Sequence, residues 1–388
     1  MLPSRKRRFV SLTNIPTPYR LHFYKALAEE LERRGWDFEV WFMAKTEPTR
    51  FWKFKEQDFH FRHRFFYGVR PTVSQIAFHF NPGVLARLLF NPPDVLMMAQ
   101  WMLPTNLLGM PMARWMGRSR ILFWLESHQK SSQHHSRLLN YIKHSFYTCC
   151  DGFATAGRFS REYIQSQVPG KPVYSLPNVV EENSFRETVM LKRKDKVSLR
   201  AQLGIPAANR VFLIPARLIV EKALQQFFDA ISSMPAEALN KLTLLVAGDG
   251  PLRGALSQWI AEHPGFDVRL LGNVPADKML SLYAACDALA LPSLSDANPL
   301  SVIEACWSGL PLLLSDYVGN HPETLHPGRN GWLFNIEKPE SVVRAVQDFL
   351  AVSDAELARM GSYSRQIAEA DFQSGMVVKR FLDQAGLL

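Results

Sequence analysis

Two acids with seven residues between them, Asp296 and Glu304, stand in the stretch L-A-L-P-S-L-S-D-A-N-P-L-S-V-I-E-A-C-W-S-G over residues 289–309. Residues 289–291 are a short apolar run and predict a buried strand. Residues 293–297 then form the loop at its carboxyl end. Asn298 is expected to cap a helix, with Pro299 in its first position. The free amides of Leu300 and Ser301 at that helix start favour an anion. Glu304 lies roughly 6 Å further along the axis at a rise of about 1.5 Å per residue, which is about the span from a diphosphate to the ribose joined to it. A carboxylate there can accept two hydrogen bonds from a vicinal diol. Asp296, on the loop, faces the opposite side of the phosphates, where a donor sugar would sit. Two acids flanking an anion-binding helix start suit a nucleotide-sugar. The bland alternative is an ordinary strand, loop and helix in an α/β domain.

These residues resemble the signature of the retaining glycosyltransferases of family 4. The frame P-S-x-x-E-x-x-P-x-x-x-x-E-A appears as Pro292, Ser293, Asp296, Pro299, Glu304 and Ala305, with Gly309 and Pro311 following. Asp296 stands where Glu is usual, and Ala297 where Gly is common. The family's G-R-L and E-K-G appear as Ala216, Arg217, Leu218 and Glu221, Lys222, Ala223. The two cations, five apart on a loop and a helix start, can reach one diphosphate from two directions. In the family, Gly248 of G-D-G-P lines the nucleotide pocket. Val274 lies where backbone groups read the base. T-N-I-P-T-P-Y-R resembles the first loop of a subset from bacterial surface-polysaccharide pathways, which makes Arg20 a donor to phosphate or acceptor. Glu126 and His128, with Lys130, follow a strand at a place where family members meet the donor sugar.

The resemblance implies the α/β GT-B fold, two Rossmann-like doubly wound domains facing across a cleft. The expected division is an acceptor-side domain over residues 1–177, a linker over 178–198 and a nucleotide-sugar domain over 199–371. Residues 372–388 are expected to cross back to the first domain. In the family the departing phosphate takes the acceptor's proton. Arg217, Lys222 and the amides of Leu300 and Ser301 would stabilise the leaving group, while Asp296 holds sugar hydroxyls. No D-x-D motif is present, so no metal and no cofactor are expected beside the nucleoside diphosphate sugar donor. Two alternatives stay open: a non-catalytic nucleotide-sugar-binding protein and a nucleotide-sugar epimerase of the same fold.

The 388 residues allow two domains with ample core. No apolar stretch is long and uninterrupted enough to span a bilayer, and the basic start M-L-P-S-R-K-R-R lacks a signal peptide's apolar centre. Four cysteines without metal or disulfide spacing fit a cytoplasmic protein. A net charge of +9 favours anionic partners. Arg5, Lys6, Arg7 and Arg8 with Arg33 and Arg34 make a peripheral contact with an anionic membrane's inner face one reading, and a solvated face the other. No pattern for nucleic acid is present. The acceptor is expected to be a saccharide or lipid-linked saccharide.

Along the chain, residues 9–13 and 37–43 read as strands around a helix at 19–34. Residues 45–90 are aromatic and basic, including Phe51, Trp52, Lys53, Phe54, Phe59, Phe61 and Phe65. They read as a hairpin insertion with a packed aromatic face, in preference to a lipid- or sugar-facing surface. Further strands are expected at 93–99, 120–125, 151–155, 173–176, 210–215, 241–247, 268–271 and 289–291. Asn320 replaces a family glycine and is expected to keep a left-handed backbone. Residues 181–198 are charged, lack periodicity and read as a linker into the next domain.

Overall fold

The computed structural model describes residues 5–47, 54–73, 76–117, 119–129 and 136–388. Phe51, Trp52, Lys53 and Lys130 lie outside the described residues. The chain divides into one unit of Met1–Val180 with Ser374–Leu388 and a second of Glu181–Gln373.

The first unit contains β1 (Arg8–Thr13), β2 (Asp37–Phe42), β3 (His63–Phe65), the two-residue strands β4 (Thr72–Val73) and β5 (Ile76–Ala77), β6 (Val95–Ala99), β7 (Arg120–Leu125), β8 (Gly152–Thr155) and β9 (Val173–Ser175). Its main sheet runs β3-β2-β1-β6-β7-β8-β9 with parallel pairings throughout. Strands covered on both faces need unbroken apolar runs, and V-L-M-M-A of β6 is buried at every residue. One face packs on Leu21, Tyr24, Leu27 and Leu31 of helix Pro18–Arg33 and on Val377, Val378, Phe381 and Leu382 of helix Ser374–Gln384. The other packs on helices Pro82–Phe90, Pro104–Pro111, Arg137–Cys149 and Arg158–Gln167.

The second unit holds β10 (Arg210–Pro215), β11 (Leu242–Ala247), β12 (Asp267–Gly272), β13 (Ala288–Leu291), β14 (Leu312–Ser315) and β15 (Gly331–Phe334). Their order is β12-β11-β10-β13-β14-β15, again parallel. In each main sheet the chain steps outward over three strands, then returns to the far side of the first. That return is a topological switch point, where the loops at the carboxyl ends diverge and leave a crevice.

Several expectations are corrected. Residues 181–198, read as a linker, belong to the second unit and hold a π-helical turn, Ser184–Thr188, and helix Val189–Arg193, and helix Lys196–Gln202 begins within them. Tertiary anchors in the same unit hold them, with Val189 buried and Phe185 against the Tyr283 ring. Arg193 donates to the carbonyls of Gly309 and Tyr283, and Lys196 and Arg200 pair with Asp287. Asn320 has φ −104°, so it is not left-handed. It is buried and its Nδ2 donates to the Pro299 carbonyl at 3.0 Å. The close approach belongs to Gly319, where a Cβ would overlap the Ala297 carbonyl. Helix Pro82–Phe90 was not expected, whereas Cys149 and Cys150, read as packing residues at a helix end, close helix Arg137–Cys149. Beyond Pro111, which lacks the N–H that α-register needs, the helix shifts to π-register over Met112–Met116.

Among the described residues, the 45–90 segment is a hairpin only at β4 and β5, since β3 joins the main sheet parallel to β2, and its aromatic residues pack together around Phe59, Phe61 and Phe65 while Tyr67 and Phe90 are exposed. Phe59 lies 6.0 Å from Phe61 and 5.8 Å from Phe65, centroid to centroid, and Phe61 meets Tyr24 at 5.6 Å.

Candidate functional site

In the second unit the switch point falls between β10 and β13. Arg217 follows β10, and Lys222 ends the 3-10 turn Val220–Lys222 in the same connection. Asp296 lies on the loop after β13. Lys222 Nζ and an Asp296 carboxylate oxygen form an ion pair across the switch, both side chains 16% exposed. The two loops are also tied through the backbone, because the Leu294 amide donates to the Glu221 carbonyl at 2.9 Å. Arg217 is exposed and its side chain makes no hydrogen bond or ion pair among the described residues. One cation is therefore fixed and the other is available to an incoming anion.

The helix beyond Asp296 runs Leu300–Trp307, with Pro299 as its cap at φ −68°, ψ 124°. This corrects Asn298 as the cap: the extended ψ of Pro299 delays the first helical turn by one residue. Leu300 and Ser301 are its first two residues, whose amides have no partner inside the helix. Glu304 is half-buried and accepts a 2.6 Å hydrogen bond from the Tyr283 hydroxyl. Burial pushes the Glu304 carboxyl above its ordinary range, and the Tyr283 bond draws it partly back. Burial, then Glu304, push the Tyr283 phenol up. Nothing in the spacing marks Tyr283 as Glu304's partner, since 21 residues separate them.

The neighbouring loops approach through backbone. Gly248, after β11, has φ +152°, and a Cβ there would overlap the Ala216 carbonyl. Its amide donates to the Gly272 carbonyl at 2.8 Å. A Cβ on Gly250 would sit 2.5 Å from the Leu218 carbonyl oxygen. Val274, half-buried, lies two residues beyond Gly272 at the end of β12. Ala223 holds φ +50°, a left-handed conformation that an L-residue adopts at a cost.

Arg20, Glu126 and His128 belong to the first unit. Arg20 is buried, its guanidinium lies 4.3 Å from the Trp124 ring centroid, and it pairs with Glu126 at 3.2 Å. One terminal nitrogen of Arg20 is buried without a protein partner. His128 is buried, 5.8 Å from the Phe159 ring. Nearby, also at carboxyl ends of strands, Glu47 accepts from Asn14 at 2.7 Å and lies 2.8 Å from His79 Nε2. Sequence reasoning did not find Glu47 or His79, which lie 32 residues apart. No group of His, Cys, Asp and Glu suited to a metal ion occurs among the described residues.

Residues 195–367 match the family model described as glycosyl transferases group 1. The alpha-galactosylglucosyldiacylglycerol synthase of Streptococcus pneumoniae is 24% identical over 163 residues, 41% of each chain. The putative teichuronic acid biosynthesis glycosyltransferase TuaC of Bacillus subtilis is 31% identical over 32% of this chain and 29% of its own length. The chain thus spans well under half the length of these curated relatives. The structure of HepE from Anabaena in complex with UDP and glucose superposes with a TM-score of 0.75, covering 98% of this chain and all of that one at 18% identity. With two parallel-sheet Rossmann-like units, the chain has the GT-B fold, and within it the stretch 195–367 is similar to the glycosyl transferases group 1 family.

Proposed function

We propose that the chain is a retaining, metal-independent glycosyltransferase. It moves a sugar from a nucleoside diphosphate sugar to a hydroxyl of a glycan or lipid-linked saccharide. The observation carrying this reading is the arrangement at the β10/β13 switch, where Arg217, Lys222, Asp296 and the Leu300–Trp307 helix start converge on one rim of one sheet. The bond from the anomeric carbon to the β-phosphate oxygen breaks. The bond to the acceptor oxygen forms on the same face, and the acceptor's proton passes to the departing phosphate. Charge grows on that phosphate, and Arg217, Lys222 and the first helical amides are its stabilisers. Asp296 orients Lys222 and accepts from sugar hydroxyls; Glu304 accepts from the ribose diol.

The lipid-linked acceptor draws support from the first unit. Helices Pro82–Phe90, Pro104–Pro111 with its π-helical extension, and Arg137–Cys149 carry no acidic residue. Their outer positions expose Leu108, Trp115, Met116, Leu138 and Tyr141, with Arg137 exposed beside them, while Arg87 is half-buried against Trp41 and Arg114 pairs with Asp151. Apolar side chains interleaved with cations suit an anionic lipid surface. The basic N-terminal cluster fits this less well: Arg34 is held by Glu30 and Asp383, and Arg33 by Glu30.

A thermal-shift panel of UDP-, GDP-, ADP- and TDP-sugars tests the donor reading. One nucleotide series should raise the melting temperature, and a flat response to all four removes the proposal. Salt-sensitive sedimentation with anionic but not neutral vesicles tests the acceptor surface. A non-catalytic nucleotide-sugar binder is the second reading, favoured by the internal pairing of Lys222. Turnover by the native chain that is absent from Lys222→Ala discards it.

A further inference from the structure

A cavity of about 860 Å³ opens at the amino ends of the second unit's strands, opposite the rim described above. It is bordered by Asn209 and Arg210 at the start of β10, Lys241 before β11, Asp287 before β13 and Pro311 before β14. Four neighbouring strands at about 4.8 Å spacing give it a length of roughly 14 Å. Its walls from helix Lys196–Gln202 and helix Asp354–Asp371 include Val197, Ala201 and Leu357.

The charges around it do not balance. The two carboxylates are already taken: Asp287 by Lys196 and Arg200 at 2.6 Å each, and Asp354 by Arg210. Arg193 has no carboxylate partner among the described residues. It donates to the Gly309 and Tyr283 carbonyls at 3.3 and 3.2 Å, and its Nε is buried without a partner. Burial, with Arg365 nearby, pulls its pKa down to about 10. Burial likewise lowers Lys196, despite Asp287. A desolvated guanidinium that meets only neutral carbonyls lacks the counter-charge such groups ordinarily find. An anion in the cavity would supply it.

We propose that this cavity is a second ligand site, binding a phosphate-bearing small molecule through Arg193 and Lys196. Its apolar walls would take the uncharged part. The site does not depend on the nucleotide-sugar reading, because the loops at the other end of the strands contribute nothing to it.

Melting curves with inorganic phosphate against chloride at matched ionic strength test it. Phosphate should raise the melting temperature of the native chain by about 3 °C. Lys222→Ala should keep the rise, while Arg193→Gln and Lys196→Gln should lose it. Should Arg193→Gln not fold, Lys196→Gln decides, because Arg200 still holds Asp287. No rise in the native chain overturns the proposal. So does a rise that survives both cavity substitutions, or one that Lys222→Ala abolishes, since that places the phosphate at the opposite rim.

Discussion

The main sheets of the two units share one strand order and build their carboxyl rims in different ways. In the second unit the rim is set by backbone against backbone. Gly248, Gly250 and Gly319 each leave no room for a Cβ against a carbonyl of the next loop. In the first unit the rim is set by buried polar side chains. Asn81 Nδ2 donates to the Met43 and Phe66 carbonyls, the Thr105 hydroxyl joins the Asn81 amide to the His79 carbonyl, and Asn106 Nδ2 donates to the Ala99 and Gln100 carbonyls. Backbone contacts fix loop positions while leaving side chains such as Arg217 to meet a ligand. Side-chain networks fix the loops by spending the polar groups themselves. The difference teaches why the residues proposed to hold a diphosphate gather in the second unit.

The sharpest way to break this contrast is to remove the cations. Lys222→Ala and Arg217→Ala should each lower kcat/KM by about 100- to 1000-fold in a donor-turnover assay, the range for losing one preorganised donor to developing charge. Unchanged turnover in both would end the assignment of the rim. Next come the two modes of construction. Gly319→Ala should cost about 3 kcal/mol or more in urea unfolding, because the Ala297 carbonyl cannot yield cheaply. Asn81→Ala should cost a similar amount, about 3 kcal/mol, by stranding the Met43 and Phe66 carbonyls. Gly35→Ala serves as control: φ is +75° but nothing lies within 4 Å of the new Cβ, so about 1 kcal/mol is expected.

A smaller effect tests Glu304. Tyr283→Phe should weaken binding of the matching nucleoside diphosphate about tenfold in calorimetry, the loss of about one charge-assisted hydrogen bond. Burial already lifts Glu304 above its ordinary 4.5, and removing the Tyr283 bond lifts it further. The affinity should therefore begin to fall at a higher pH in the variant as the solution is acidified. The effect on stability has the opposite sense. A carboxyl with a raised folded pKa favours the folded chain fully below 4.5, and that contribution disappears as pH rises through the folded value. The smallest effect is Ala223→Gly, which should stabilise the unit by about 1 kcal/mol, since Ala223 sits at φ +50°.

The legibility of the two units in the sequence follows the same divide. Asp296, Pro299 and Glu304 stand at short spacings on one loop and helix start, and Arg217 and Lys222 at short spacing on another, so each set is legible by itself. The buried strands β10, β11, β13 and β14 show as apolar runs because both their faces are covered, whereas β12, with Asp267 and Arg269, is legible only at Leu270 and Leu271. The Lys222–Asp296 pair spans 74 residues and the Tyr283–Glu304 bond 21. Neither has a periodic signature. Helix Pro82–Phe90 hid inside an aromatic stretch whose packing partners come from β2 and helix Pro18–Arg33. The helical run 184–202 hid because its apolar anchors are only Phe185 and Val189, and the rest of its hold is on carbonyls and Asp287. Asn320 illustrates the limit of substitution logic: the freedom needed at that turn belongs to Gly319, and Asn320 is retained for its amide.

Helix Ser374–Gln384 has a consequence for biogenesis. Val377, Val378, Phe381 and Leu382 complete a core whose other members are made before residue 180. A ribosome must therefore finish all of Glu181–Gln373 before the first unit can close. Until then Phe23, Leu27 and Tyr174 wait with an uncovered apolar flank, an opening for chaperones or for self-association. The later-made unit is free to fold first, reversing the order in which most nascent chains mature.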